Sequence, residues 1–445
     1  MRVFGSPSFL RLWLAQVASA LGDWLGFVAL VAIAARIGGS SPEAAISLVM
    51  SARLVPGFFL APLAGVLVDR WDRKRVMVVC DVSRAVVLAT VPFIDTLWAL
   101  VIASLLLEAA TLLWSPAKEA SVPNLVRTEQ LTTANSLSLV AAYGTFPVAT
   151  LVFAFLAKVA EWLGGFEALD FFRLNQESLA IYVDVCTFLV SAVLISTLAF
   201  PGRPRRDTAA PRPTVSVRHT LHELTEGWRF MAVNRVVRAV MVALGTGLIG
   251  GGMLVPLGPV FADRVLGGGS SAFGLLLTAL GSGVAAGVLI VSSLQSRLPK
   301  ERVFTWAVFL AGASLLGGAS MSTLTPALVF VAVLGVSAGT VYVLGFTVLH
   351  ENVNDEMRGR IFGSLYTLVR FCLLASFAVG PLAADRLDRL SVRLVDRAVT
   401  IAGHTVSVPG VRLTLWLAAV IILGAGVLAV LSLRTGDGRE RPEPV

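Results

Sequence analysis

Charge is sparse in this chain. Asp, Glu, Lys and Arg make up 14% of its 445 residues, against about 25% in a typical soluble domain. A water-soluble fold of that length would lack the polar surface to cover itself. Cysteine is scarcer still: Cys80, Cys186 and Cys372 each lie inside an apolar run, which leaves no disulfide framework and no metal-ligand spacing. The histidines His219, His222, His350 and His404 are too dispersed for a metal site. His219 and His222, three apart, read as a solvated pair. No nucleophile–base set and no phosphate loop is present, so the chain is expected to be no enzyme, with no catalytic residue, metal or cofactor. Asn, Gln, His and Tyr are rare within the apolar runs, which argues against a sugar site built from paired hydrogen bonds.

What the chain does have is oil. Hydrophobic residues make up 56% of it and the mean hydropathy is +0.81. A membrane helix needs about 20 mostly apolar residues. Such stretches fall near 9–36, 44–68, 75–95, 97–116, 133–162 and 178–200, then near 236–262, 272–296, 302–321, 326–349, 360–384 and 411–434. The reading is an all-α membrane protein of about twelve spans in two groups of six. The apolar segment near the N-terminus runs past residue 30 with no cleavage pattern and is taken as the first span. Between the groups, PGRPRRDTAAPRPTVSVRH (201–219) is a flexible linker by composition. Leu221, Leu224, Trp228 and Met231 then recur at helical spacing, as in an interfacial amphipathic helix. The expected organisation is an N-terminal bundle (1–200), a cytoplasmic linker (201–233) and a C-terminal bundle (234–445).

The net charge of +8 does not indicate a nucleic-acid partner. The bases sit in alternate short loops between spans, not on one face interleaved with aromatics. Arg70, Arg73, Lys74 and Arg75, then Lys118 and Arg127, the linker, Arg297, Lys300 and Arg302, and finally Arg358 and Arg360 all share one side if there are twelve spans. By the positive-inside rule that side, with both termini, is the cytoplasm. The last outer loop, 385–410, begins DRLDRLSVRLVDR and reads as a solvated excursion. It then alternates Val399, Ile401, Val406 and Val408 about Gly403, as a small hairpin would. SPAKEASVPNLVRTEQLTTANSLSLV and HENVNDEMRGRIFGSLYTLV follow the fourth and tenth spans and share a charged-then-small pattern, a faint internal repeat.

The densest charge is in GVLVDRWDRKRVM, residues 65–77, behind the second span. A small Gly65 lets a neighbouring helix approach. Asp69 at a helix end can bind the N–H groups of another helix's N-terminus. Such a contact would form in one conformation and break in another. A basic anchor that fixes topology explains the same residues, and spacing leaves both readings open. This stretch resembles the cytoplasmic-loop signature of the major facilitator superfamily, with Asp72 where a second glycine is usual. SALGDWL, CDVSRAVVL, SPAKEASVPNLV with LTTANSLS, and YVDVCTFLVSA resemble the branch containing enterobactin and macrolide exporters. The resemblance implies two six-helix bundles rocking about a central site in a bacterial inner membrane. It also implies a cytoplasmic gate formed by Gly65, Asp69, Arg70, Arg73 and Lys74. The family's glycine-rich antiporter run is degenerate in the fifth span, where YGTFPVAT keeps Gly144 and Pro147.

Ionisable groups inside a span cost about 2.5–3.5 kcal/mol each on insertion scales, so each implies a partner or a wet cavity. Asp23 lies midway along the first span and Glu108 midway along the fourth. Arg370 is near the middle of the eleventh, and Arg53 is in the outer part of the second. Asp81 and Arg84, three apart, are placed to pair as a structural unit. Asp184 is read as a structural residue near headgroup depth. Asp23 or Glu108 would couple proton entry to transport, with Arg84 or Arg370 as counter-charge; a static salt bridge between the halves is the competing reading. Pro56, Pro147 and Pro256 are expected to kink their spans. The functional expectation is a monomeric, proton-coupled exporter of hydrophobic or amphiphilic small molecules, in contact with membrane lipids. A lysophospholipid transporter is the alternative, and a non-transporting membrane sensor a third class.

Overall fold

A computed structural model describes residues 6–127, 130–163, 177–198, 234–294, 299–353, 355–401 and 404–434. The linker, the amphipathic segment with Leu221, Leu224, Trp228 and Met231, and Gly403 lie outside the described residues. Among the described residues, twelve helical stretches are long and apolar enough to cross a membrane. The chain is a multi-pass integral membrane protein. Its contacts divide it into two units, Met1–Thr214 with Gly268–Thr278, and Val215–Gly267 with Ala279–Val445.

The first unit contains α1 (Pro7–Ile37), α2 (Pro42–Arg70), α3 (Arg73–Thr90), α4 (Leu97–Ser121), α5 (Leu131–Tyr143), α6 (Phe146–Leu163) and α7 (Ser178–Ser196). Ser6 caps α1 by accepting from Phe9 N at 3.0 Å, with Pro7 at the first helical position. α1 packs on α7, α2 on α4, and α3 on both α4 and α7. At one end these helices bury Phe9, Leu12, Met77, Cys80, Trp114 and Ile195 together. α1 is also laced to α5: Trp13 Nε1, Gln16 Nε2 and Trp24 Nε1 donate to the carbonyls of Leu137, Ser138 and Ala142, each at 2.8 Å. The last of these carbonyls lies in the final turn of α5, where intrahelical donors run out. The expected fifth span is therefore two helices. The break at Gly144–Thr145 precedes Pro147, which has no N–H for the carbonyl of Tyr143.

The second unit contains α8 (Arg235–Gly252), α9 (Leu254–Arg264), α10 (Gly269–Leu294) from Ala279 onward, α11 (Lys300–Ser320), α12 (Leu324–Glu351), α13 (Asp355–Val395) and α14 (Gly410–Arg434). α8 packs on α14 and α13, and α11 on α12 and α14. The seventh span breaks at Met253, again just before a proline, Pro256. α10 and α12 meet backbone to backbone. A Cβ on Gly283 or Gly287 would lie 2.2 Å from the carbonyl oxygen of Ala332 or Val336, and one on Gly335 2.2 Å from that of Leu280. The four-residue spacing of these glycines is what lets two membrane helices approach so closely.

The segment 385–410 carries mostly exposed charges, in keeping with the expected solvated excursion, and its first part is helical. α13 continues to Val395, and along it charges pair at helical spacing, Arg389 Nη2 lying 2.8 Å from Asp385 Oδ2. Asp396 and Arg397 then turn the chain with φ of 50° and 57°. The expected hairpin follows: β1 (Ala398–Ile401) pairs antiparallel with β2 (His404–Ser407), Val399 opposite Val406. The turn is tied down by Ser391 Oγ donating to Val408 O at 2.7 Å and by Gly410 N donating to Asp388 Oδ1 at 2.9 Å. Arg397 also pairs with Asp388.

Candidate functional site

Five helices of the first unit bring ionisable groups to one place. Arg84 on α3 is 1% exposed. Its Nη2 donates to Asp81 and, at 3.3 Å, to Ser19 Oγ, while its Nη1 lies 3.2 Å from Asp23 Oδ2. The flat guanidinium also stacks over Phe188, 4.2 Å from the ring centroid, and near Trp114 at 5.4 Å. Asp81 is fully buried and takes a second hydrogen bond, from Ser191 Oγ at 2.7 Å. The expected Asp81–Arg84 pair is thus present, and it extends to Asp23 on α1 and to α7.

Asp23 differs from Asp81 in burial: its side chain is 31% exposed. On the other flank Arg53 of α2 faces Glu108 of α4, with Nε to Oε2 at 4.0 Å. Asp23, Arg53 and Asp184 line one small cavity of about 10 Å³ with Gly26, Leu30, Leu88, Leu107 and Phe188, on the scale of a single water. Asp184, read from sequence as lying near headgroup depth, is 1% exposed and accepts from Thr187 Oγ1 at 3.2 Å. It sits against Gly22 and Gly26, where a Cβ would lie 2.2 and 2.3 Å from its carboxylate oxygens. Two glycines four apart in SALGDWLG carried that signal, but only the packing of α7 on α1 gives it meaning. Among the described residues, the cluster brings together four carboxyl groups, Asp23, Asp81, Glu108 and Asp184, and two guanidinium groups, Arg53 and Arg84. Arg370 lies on α13 in the second unit, half-buried.

The loop behind α2 is clear in part. Gly65, Asp69 and Arg70 lie on helical backbone, and their side chains are outside the described residues. Arg73 Nη1 donates to Ala120 O at 2.5 Å and Lys74 Nζ to Leu198 O at 2.8 Å. Both bases thus meet carbonyls at helix C-terminal ends, where the dipole favours positive charge. Asp72, the residue that departs from the family's glycine, caps α3 by accepting from Arg75 N at 2.8 Å with φ of −71°. No left-handed residue is needed there. Farther along, Glu177 precedes α7; it is 3.8 Å from Arg36 and accepts from Ser270 Oγ at 3.4 Å. Burial pushes its carboxyl up from the ordinary range.

Several proteins similar to this chain are named as transporters. The chain is 25% identical over 433 residues to the multidrug efflux pump Tap of Mycobacterium tuberculosis, covering 95% of this chain and 93% of Tap. It is 23% identical over 408 residues to the uncharacterized MFS-type transporter YfiS of Bacillus subtilis, covering 84% and 86% of the two chains. Among solved structures, a bacterial homolog of the human lysosomal transporter Spinster superposes with a TM-score of 0.73 at 14% identity, over 96% of this chain and 98% of that one. The nucleoside transporter NupG superposes at 0.67 and 14% identity, over 96% and 100%. These likenesses show the fold. The family model of the Major Facilitator Superfamily matches residues 12–381, and the chain belongs to that superfamily of membrane transporters.

Proposed function

We propose that the protein is a proton-coupled exporter of hydrophobic or amphiphilic small molecules that works by alternating access. The observation that carries this reading is the charge count of the cluster. Four carboxyl groups share two guanidinium groups in spans where an unpaired buried charge is costly. A set in which the described carboxyl groups outnumber the described guanidinium groups is suited to take up protons and release them as its surroundings change. Asp23 is the exchange point in this reading, because it is the more exposed carboxyl of the Arg84 group. Arg84 holds Asp23 and Asp81 together, and Asp81, closed off and bonded to Ser191, serves as the fixed partner. Glu108 with Arg53 forms the second pair.

Tap's likeness over nearly the whole chain supports export of drug-like compounds, as do apolar spans poor in amide and hydroxyl groups. In this reading 1–200 and 234–445 are the two bundles, the cytoplasmic linker 201–233 joins them, and both termini face the cytoplasm of a bacterial cell. The gate is formed by Gly65, Asp69, Arg70, Arg73 and Lys74, and one monomer is the working unit. The test is transport by reconstituted Asp23→Asn, Glu108→Gln and the double variant. The amides are expected to abolish transport driven by a pH gradient while leaving gradient-independent exchange. Unchanged coupling in both singles and the double would remove the proposal.

A further inference from the structure

The corner between α2 and α3 carries a groove of about 340 Å³ lined by Trp71, Asp72, Arg75, Val76, Val79, Cys80 and Leu113. Its walls are apolar and its rim is not, a division that follows the helix end. Val79, 62% exposed, continues along α3 into Val82 and Val86, both exposed apolar side chains of a membrane span. Trp71 stands exposed at the mouth, the level at which indole rings collect at membrane–water interfaces.

The rim also has an unmatched charge. Arg73, Lys74 and Arg75 share the first turn of α3 with one acid, Asp72. Arg73 and Lys74 are held on the carbonyls of Ala120 and Leu198, and the Asp72 carboxylate is held by the N–H of Arg75. The Arg75 guanidinium is exposed and has no ion-pair partner among the described residues. A groove with oil-lined walls, an interfacial tryptophan and a spare guanidinium at its mouth complements a molecule with an acyl chain and an anionic head. We propose that this corner binds an anionic glycerophospholipid, its phosphate on Arg75 and one acyl chain along Val76, Val79 and Leu113. The bound lipid would brace the α2–α3 corner. This site is separate from the charged cluster, and its assignment does not depend on what the protein transports.

The test is native mass spectrometry of the full-length protein incubated with phosphatidylglycerol or with phosphatidylcholine of the same chains. A favourable basic contact predicts about fivefold greater retention of phosphatidylglycerol. Arg75→Gln should bring that ratio to about one, and Val79→Trp, which fills the groove, should lower retention of phosphatidylglycerol with Arg75 intact. Both positions are exposed, so both variants should fold. An undiminished ratio in Arg75→Gln, or full retention in Val79→Trp, would overturn the proposal. So would equal competition by glycerol 3-phosphate, which would make this a free-anion site.

Discussion

Removing Arg84 should be the most damaging single change to the first unit. The side chain is 1% exposed and serves Asp81, Asp23 and Ser19 while its face lies on Phe188. Arg84→Ala leaves the fully buried Asp81 with only Ser191 as partner. Breaking a buried pair from one side costs about 3–5 kcal/mol, because the remaining charge has neither water nor counter-ion. For a unit of this size each kcal/mol moves the midpoint about 2–4 °C, so a fall of about 6–20 °C is expected. Replacing both partners with apolar residues of similar volume removes the stranded charge. Arg84→Met with Asp81→Leu should therefore unfold at a higher temperature than Arg84→Ala. The assay is thermal unfolding of the purified variants in detergent, with Asp81→Leu alone completing the cycle. A double variant that loses the sum of the two single losses would refute the reasoning, since the pair would then act as independent side chains.

Other outcomes follow from the same geometry. Gly22→Ala should cost about 1–3 kcal/mol by overpacking, since its Cβ would lie 2.2 Å from both Asp184 Oδ1 and Thr187 Oγ1; adding Asp184→Ala should relieve only part of that cost, as unfolding midpoints will report. The folded protein holds the Glu177 proton more tightly than the unfolded chain does, because burial raises its pKa above 4.5. That contribution to stability is complete below the ordinary value and is lost as pH rises through the raised one. Glu177→Gln should accordingly flatten the decline of the unfolding midpoint as pH rises above the ordinary carboxylate range. For the proposed gate, spin-label distances across the 65–75 end of the helices should shift in Asp69→Asn when ligand is added; fixed distances would reduce the 65–75 segment to an anchor.

The twelve spans were legible because length and hydropathy alone decide what crosses a bilayer. Pro147 and Pro256 announced disturbed helices, and the structure adds that each span breaks outright just ahead of its proline. Asp81 and Arg84 could be paired from their spacing of three on one helix. Asp184 was not legible as a member of the cluster, because its neighbours Gly22, Gly26 and Asp23 come from α1. Depth along a span of uncertain ends says little about which face a residue shows. Asp72, which stands where the family's signature has a second glycine, is a helix cap. The charges of 385–397 pointed rightly to exposed residues, but that they pair four apart along a continuing α13 was not read from them.

The central claim is that a proton gradient does the work. Reconstituted into vesicles, the wild-type protein should move a lipophilic cationic dye faster when a pH gradient is imposed, and a protonophore should abolish the gain. Dye movement indifferent to the gradient, or a fluorescent lysophospholipid crossing equally well without one, would contradict the account and favour a lipid transporter.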